Sequence, residues 1–182
     1  MAEISAVSCV DGFRAALRRM ACTVSVVTTI DDVAIRHGMT ATSVTSLSFD
    51  PPSLLVCVKR SASIYRPLRR SRAFCVNVLR DGQADIARAF SGVLKGEERF
   101  AVGSWESDPV GAVCLADAVA IIHCRLEKVT TFGSHAVYIG RVERVRLGDD
   151  FRPLVYRDGQ YVAIAADAAM SLRASSNVSN QS

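Results

Sequence analysis

Hydrophobic positions along much of this chain alternate one by one with polar ones, the period of a half-buried strand. Residues 22–29 alternate and are β-branched, which predicts a strand. Residues 37–49 predict another, ended by Pro51-Pro52 because proline cannot donate to a ladder. Residues 54–58 are continuously apolar and read as a buried strand, and residues 74–79 read likewise. Residues 119–129 and 135–145 are two long alternating strands joined near Gly133. Residues 154–164 form a hairpin whose Asp158-Gly159 suits a tight turn with positive φ.

Helical spacing is scarcer. Phe13, Ala16, Leu17 and Met20 make one apolar stripe. Residues 61–70 predict a short helix with Pro67 as a blemish. Asp81 is expected to cap a helix running to about Phe90, with Ile86 and Phe90 on one face. Asp31-Asp32 marks a turn, and residues 91–111 read mostly as loop with a charged patch at Glu97, Glu98 and Arg99. There is no internal repeat. Many strands, a few short helices and no regular βα alternation predict a mainly β protein, a barrel with added helices. The folded domain is expected over residues 1–165, and the small, polar tail at 166–182 is expected to be disordered.

Composition narrows the classes. The chain has 182 residues, 49% hydrophobic and 22% charged, which suits one folded domain. Mean hydropathy of +0.21 is high for a soluble monomer and fits a homodimer that buries an apolar face. No apolar run is long enough to span a membrane. Residues 1–19 contain Glu3 and Asp11 without a continuous apolar core, so they do not read as a signal peptide, and a cytoplasmic location is expected. The net charge is only +4. Arg66, Arg69, Arg70 and Arg72 form the best basic patch, but aromatic residues are 7% of the chain and are not interleaved with it, which argues against nucleic acid.

The six cysteines include no C-x-x-C pair and read as buried free thiols in a reducing compartment. His37, His123 and His135 lack a second ligand at metal spacing, so no metal site is expected. His123, in an apolar strand, reads as structural. The Rossmann glycine fingerprint, the P-loop and the hydrolase elbow are all absent.

The most informative stretch runs from Gly38 to Ser63. Thr40, Ala41, Thr42 and Ser43 are small enough to let a flat, polar-edged ring approach, and Ser46 and Ser48 could reach a polyol chain. Threonines also simply suit β geometry, and composition alone favours that plainer reading. Lys59, Arg60, Ser61 and Ser63 follow the buried strand at an expected helix start, where backbone N–H groups, cations and hydroxyls make an anion site; a capped helix with solvated charges would look the same.

Taken in order, Phe13-Arg-Ala-Ala-Leu17, Gly38-Met-Thr-Ala-Thr-Ser43, Asp50-Pro-Pro52, Cys75-Val-Asn-Val-Leu79, Phe90-Ser-Gly92, Glu98-Arg-Phe100, Gly133-Ser-His135 and Pro153-Leu-Val-Tyr156 resemble the short-chain flavin reductase family. That family includes the reductase components of two-component flavin-dependent monooxygenases, such as those acting with 4-hydroxyphenylacetate 3-monooxygenase. The resemblance implies a split β-barrel homodimer that takes FMN or FAD with NADH or NADPH and hands reduced flavin to a partner monooxygenase. It implies that Met39, Thr40, Ala41, Thr42 and Ser43 line the flavin, with Ser46 and Leu47 nearby. Lys59, Arg60, Ser61 and Ser63 would hold the phosphate. Asn77 and the Phe90-Ser91-Gly92 turn would flank the flavin. Arg99 would contact a phosphate or the partner subunit, and His135 would meet the nicotinamide. Many members have Gly-Asp-His where this chain has Gly133-Ser134-His135. The alternative is a flavin-binding sensor or carrier without turnover.

Overall fold

A computed structural model describes residues 8–108, 112–149 and 152–164; the expected disordered tail at 166–182 lies outside them. Helix α1 (Cys9–Arg18) leads into a short strand β1 (Cys22–Thr23). The main sheet then collects β2 (Ser25–Ile30), β3 (Arg36–Ala41), β4 (Val44–Phe49), β5 (Pro52–Lys59), β6 (Ala73–Val78), β9 (Ala120–Phe132) and β10 (His135–Leu147). Their order is β3-β2-β6-β9-β10-β5-β4, antiparallel throughout. Helix α2 (Tyr65–Ser71) bridges β5 and β6, and α3 (Ala84–Arg88) follows β6. A two-stranded sheet of β7 (Trp105–Ser107) and β8 (Val113–Leu115) is separate from it, as is the β1-β11-β12 sheet, with β11 (Val155–Arg157) and β12 (Gln160–Val162). The mainly β, split-barrel expectation holds, with few short helices. No helix is long and apolar enough to cross a membrane among the described residues.

Two apolar clusters flank the sheet. One gathers Val24, Val26, Leu79, Phe90, Phe100 and Leu115; the other gathers Val56, Val58, Ile64, Leu68, Phe74 and Tyr138. The Tyr138 hydroxyl donates to the Tyr65 carbonyl at 2.7 Å, and burial pushes its pKa up to about 12. Gly140 lets the Phe74 ring lie across β10: a Cβ there would sit 2.4 Å from Phe74 Cζ.

Several boundaries differ from the expectation. The strand expected over 37–49 is two strands, parted at Thr42-Ser43, so the chain can wrap from β3 at one edge to β4 at the other. The strand at 22–29 breaks at Val24, whose N–H and C=O bond Leu154 and Leu79. Pro52 begins β5 opposite Phe49 rather than only ending the previous strand. Helix α2 starts at Tyr65, after a turn through residues 60–64, and Pro67 falls in its first turn, where no N–H is needed. The cap of α3 is Gln83, because Gly82, at φ 86°, keeps Asp81 in the preceding turn. Residues 91–111 carry more structure than a loop: a 3₁₀ turn (Gly96–Ala101) and β7. The hairpin turn is as expected, with Asp158 at φ 49° and Gly159 at φ 83°.

Candidate functional site

A cavity of about 680 Å³ opens where β3, the end of β5, the segment after α3 and the β11–β12 hairpin meet. Its lining includes nine of the residues singled out from the sequence: Met39, Thr40, Thr42, Lys59, Ser63, Phe90, Ser91, Gly92 and Arg99. Ala62, Arg88, Tyr156, Gly159 and Tyr161 complete it.

Each wall has a local cause. Along β3, Met39 and Thr40 are half-buried, while Ala41 turns into the core beside Val56 and Val58. The Thr40 hydroxyl donates to the Ala87 carbonyl at 2.6 Å, which ties β3 to α3. After α3 the chain widens into a π turn (Ala89–Val93), closed by Gly92 at φ 109°. Such turns recur at functional sites because they displace one residue from the helical ladder. Here the turn sinks Phe90 beneath the cavity, 5.0 Å from the Phe100 and Trp105 rings. Gly38 makes this possible, since a Cβ on it would come within 2.5 Å of the Phe90 ring. Arg99 braces the same wall by donating to the Gly38 carbonyl at 2.7 Å and the Leu94 carbonyl at 2.9 Å. Nearby, the hydrogen bond from Arg36 holds the Glu97 carboxyl below its ordinary pKa. The opposite wall is aromatic: Tyr156 and Tyr161 lie 5.3 Å apart, and the Arg88 guanidinium sits 5.6 Å from the Tyr161 ring centre.

Polar groups gather at the other end. Lys59 ends β5 directly opposite His135, the first residue of β10. The Arg60 N–H donates to the Ser134 carbonyl at 2.9 Å, and its guanidinium reaches the Gly133 carbonyl at 3.4 Å. Arg60, Ser61 and Ser134 line a smaller adjoining pocket of about 400 Å³, which Lys59 shares with the main cavity. The anion-site expectation thus falls on Lys59 at the end of β5 and on Ser61 and Ser63 in the turn after it, not on a helix terminus. His135 is exposed, with its Nδ1 2.9 Å from the Ser134 hydroxyl. It stands beside the Lys59 end without lining the main cavity.

The remaining expected residues lie elsewhere. Ser43 faces a neighbouring pocket with Leu17 and Met20 of the N-terminal segment. Ser46 and Leu47 are exposed on β4, at the sheet edge. Asn77 is fully buried: its amide donates to the Val26 carbonyl at 3.0 Å and accepts from the Leu115 N–H at 2.8 Å. It fastens β8 to the sheet instead of touching the cavity. Arg88 and Tyr161 were missed in the sequence. The one signal for Tyr161 was its place two residues past the Asp158-Gly159 turn.

The donor set fits a flavin. The cavity has an aromatic floor at Phe90 and an aromatic wall at Tyr156 and Tyr161, which suit the faces of a ring system. Hydroxyls of Thr40, Thr42 and Ser91 suit its polar edge, and Lys59 with Ser63 suits a phosphate.

Comparison with known proteins agrees. The family model described as "Flavin reductase like domain" matches residues 17–165. The chain is 41% identical over 160 residues to the reductase component of FADH(2)-dependent resorcinol hydroxylase from Rhizobium sp. (strain MTP-10005), covering 87% of this chain and 89% of that protein. It is 38% identical over 154 residues to the FMN reductase (NADH) RutF of Variovorax paradoxus (strain S110), covering 85% of each. Among solved structures, the Streptomyces globisporus NADH:FAD oxidoreductase SgcE6, in complex with NAD and FAD fragments, matches with a TM-score of 0.79 at 29% identity, covering 86% of this chain and 93% of that one. With the family model spanning most of the chain and close relatives matched nearly end to end, this protein belongs to the flavin reductase-like family.

Proposed function

We propose that this protein is an NAD(P)H:flavin oxidoreductase that reduces FMN or FAD and supplies reduced flavin to a partner monooxygenase. The observation that carries the reading is the cavity of about 680 Å³, cationic at Lys59 and aromatic at Phe90, Tyr156 and Tyr161. A relative named as the reductase component of a hydroxylase supports the monooxygenase partner.

Bound flavin supplies the ring that takes a hydride from NADH or NADPH. The chain's own part is binding and orientation. Lys59 and Ser63 hold the phosphate as a charge-assisted pair of donors. Thr40, Thr42 and Ser91 would meet the polar edge of the ring, the Thr40 and Ser91 hydroxyls as acceptors since they already donate to the Ala87 and Arg88 carbonyls, and Phe90 and Tyr161 would pack against it. Ser134 holds the His135 imidazole beside Lys59 and outside the main cavity, so His135 would meet NADH or NADPH from the phosphate end of the flavin and not at the ring. The rim residues Lys59, Arg88, Ser91, Gly92 and Gly159 are all exposed, which suits a flavin that must leave after reduction.

A homodimer accompanies this reading. Phe13, Leu17 and Met20 are 62%, 47% and 56% exposed, and no residue of α1 is buried within the single chain. An uncovered apolar helix face of this kind suits a second copy. Light scattering during size-exclusion chromatography tests it, and a monomer at micromolar concentration would remove this part of the proposal.

The decisive experiment measures aerobic NADH and NADPH oxidation with FMN or FAD added in turn. Turnover that requires flavin and saturates with it is expected, and it ranks the flavins and the donors. Tight flavin binding without turnover would instead make the protein a sensor or carrier. Absence of flavin binding would overturn the assignment of the cavity.

A further inference from the structure

A line of directly opposed residues crosses four strands of the sheet: Thr28, Cys75, His123 and Arg144. Strand β8 packs over this line, pinned by the Thr28 hydroxyl on the Val113 carbonyl and by Asn77 on the Leu115 N–H. It thereby lowers Cys114 onto Cys75 and His123. The Cys75 and Cys114 sulfurs are 3.8 Å apart, and the Cys114 sulfur is 3.8 Å from His123 Nε2. All three donor atoms lie within 4.8 Å of one another, and all three residues are buried. A tetrahedral zinc ion with ordinary Zn–S and Zn–N bonds spaces two sulfurs by about 3.7 Å and a sulfur and a nitrogen by about 3.5 Å. Closure on an ion therefore needs only small side-chain movements.

The other face of the imidazole is already arranged for a ligand. Asp108 Oδ2 lies 2.9 Å from His123 Nδ1, and both side chains are buried, 4% and 8% exposed. A carboxylate on Nδ1 fixes the tautomer that leaves the Nε2 lone pair toward the sulfurs, the usual support of a metal-bound histidine. A cavity of about 250 Å³, lined by Asp108, Cys114, His123 and Arg144 among others, leads from solvent to this point. It gives an entry path and room for a water as fourth ligand.

We infer that Cys75, Cys114 and His123 form a binding site for a thiophilic divalent cation, zinc above all, with Asp108 orienting the histidine. Arg144 covers the site: its guanidinium contacts Asp108 and lies 3.2 Å from His123 Nε2. Its side chain is 51% exposed and can swing into solvent when a cation arrives. The bound ion fastens the β7–β8 lobe to the main sheet. Arg144 stands nine residues along β10 from His135, roughly 30 Å of strand, so the ion takes no part in the flavin cavity.

The test uses the full chain carrying Cys9→Ser, which removes the exposed thiol. After stripping with chelator, it is titrated with cobalt(II) and then zinc. A thiolate-to-cobalt charge-transfer band saturating at one ion per chain, and bleached by zinc, is expected. Zinc should raise the unfolding temperature. Cys114→Ser should abolish the band, and Arg144→Ala should tighten cobalt binding. Absence of the band in the parent chain would overturn the proposal. So would a band that survives Cys114→Ser, since the ligands would then lie elsewhere. Should Cys114→Ser fail to fold, Arg144→Ala carries the decision: unchanged cobalt affinity in that folded variant would refute the placement.

Discussion

At one end of the β9–β10 ribbon, His135 is exposed, paired with a neighbouring serine and facing Lys59 across the ladder. At the other end, His123 is buried between Asp108, Cys114 and Arg144. The same two strands thus carry two histidines in opposite environments. At the open end polar groups stay hydrated, so they can exchange water for a ligand at small cost. At the closed end every polar group must satisfy its neighbours, because an unpaired buried charge is costly. The open end is therefore expected to tolerate substitution and lose binding, while the closed end loses stability.

The largest effect expected is at the closed end. Asp108→Asn removes a carboxylate that is 4% exposed and bonds both His123 and Arg144. Breaking a buried ion pair costs about 3–5 kcal/mol, and the half-exposed Arg144 can escape to water, which reduces the loss to roughly 2 kcal/mol. Thermal unfolding of metal-free protein should show a drop of about 4–8 °C. Flavin affinity should stay unchanged, and a loss of it would break the comparison.

Lys59→Gln should do the reverse. Loss of one charge-assisted hydrogen bond to phosphate, about 1.4 kcal/mol, weakens FMN binding about tenfold. Riboflavin, which lacks the phosphate, should bind the variant and the parent alike, and the unfolding temperature should not move. Fluorescence titration with both ligands checks this. Equal weakening for both would place the phosphate away from Lys59.

The smallest effect sharpens the contrast. Asp31 and His37 form a second aspartate–histidine pair at 2.8 Å, at the β2–β3 turn. The hydrogen bond from His37 holds the Asp31 carboxyl below its ordinary value of 3.8, as do the Ile35 and Val33 N–H groups. A folded pKa lowered in this way stabilises the protein above the unfolded value and ceases to do so as pH falls through the folded one. Asp31→Asn should therefore lower the unfolding temperature slightly at pH 7, with the difference shrinking as pH falls below 3.8 and gone once pH is below the lowered folded value. A difference that persists in acid would show that the backbone turn, and not the charge, is what Asp31 supplies.

These contrasts also explain what the sequence disclosed. Strands announced themselves through alternation, and the Asp158-Gly159 turn through its demand for positive φ, because both signals are local. The places of Thr40, Thr42, Lys59 and Ser63 on the cavity came only with the family resemblance, since local pattern alone favoured a plain strand and left a capped helix open. The break at Thr42-Ser43 was not legible, since no glycine or proline marks it and only the closure of the sheet requires it. Tyr161 and Arg88 escaped because nothing near them in sequence shows that the last hairpin folds over α3. Most hidden was the Cys75, Cys114 and His123 cluster. Its members come from three strands, and their intervals of 39 and 9 residues follow sheet register instead of any helical or loop period.

The cavity borrows its walls from residues 39–42, 59–63, 88–99 and 156–161, whereas the seven-stranded sheet is complete by Leu147. During synthesis the sheet can therefore assemble before Tyr156 and Tyr161 have left the ribosome. A nascent chain at that stage has its framework and no closed place for flavin. Flavin binding therefore gains its aromatic wall, and with it its full stabilising effect, only when the final hairpin docks. Starving a cell of flavin should leave newly made protein folded, empty and ready to load.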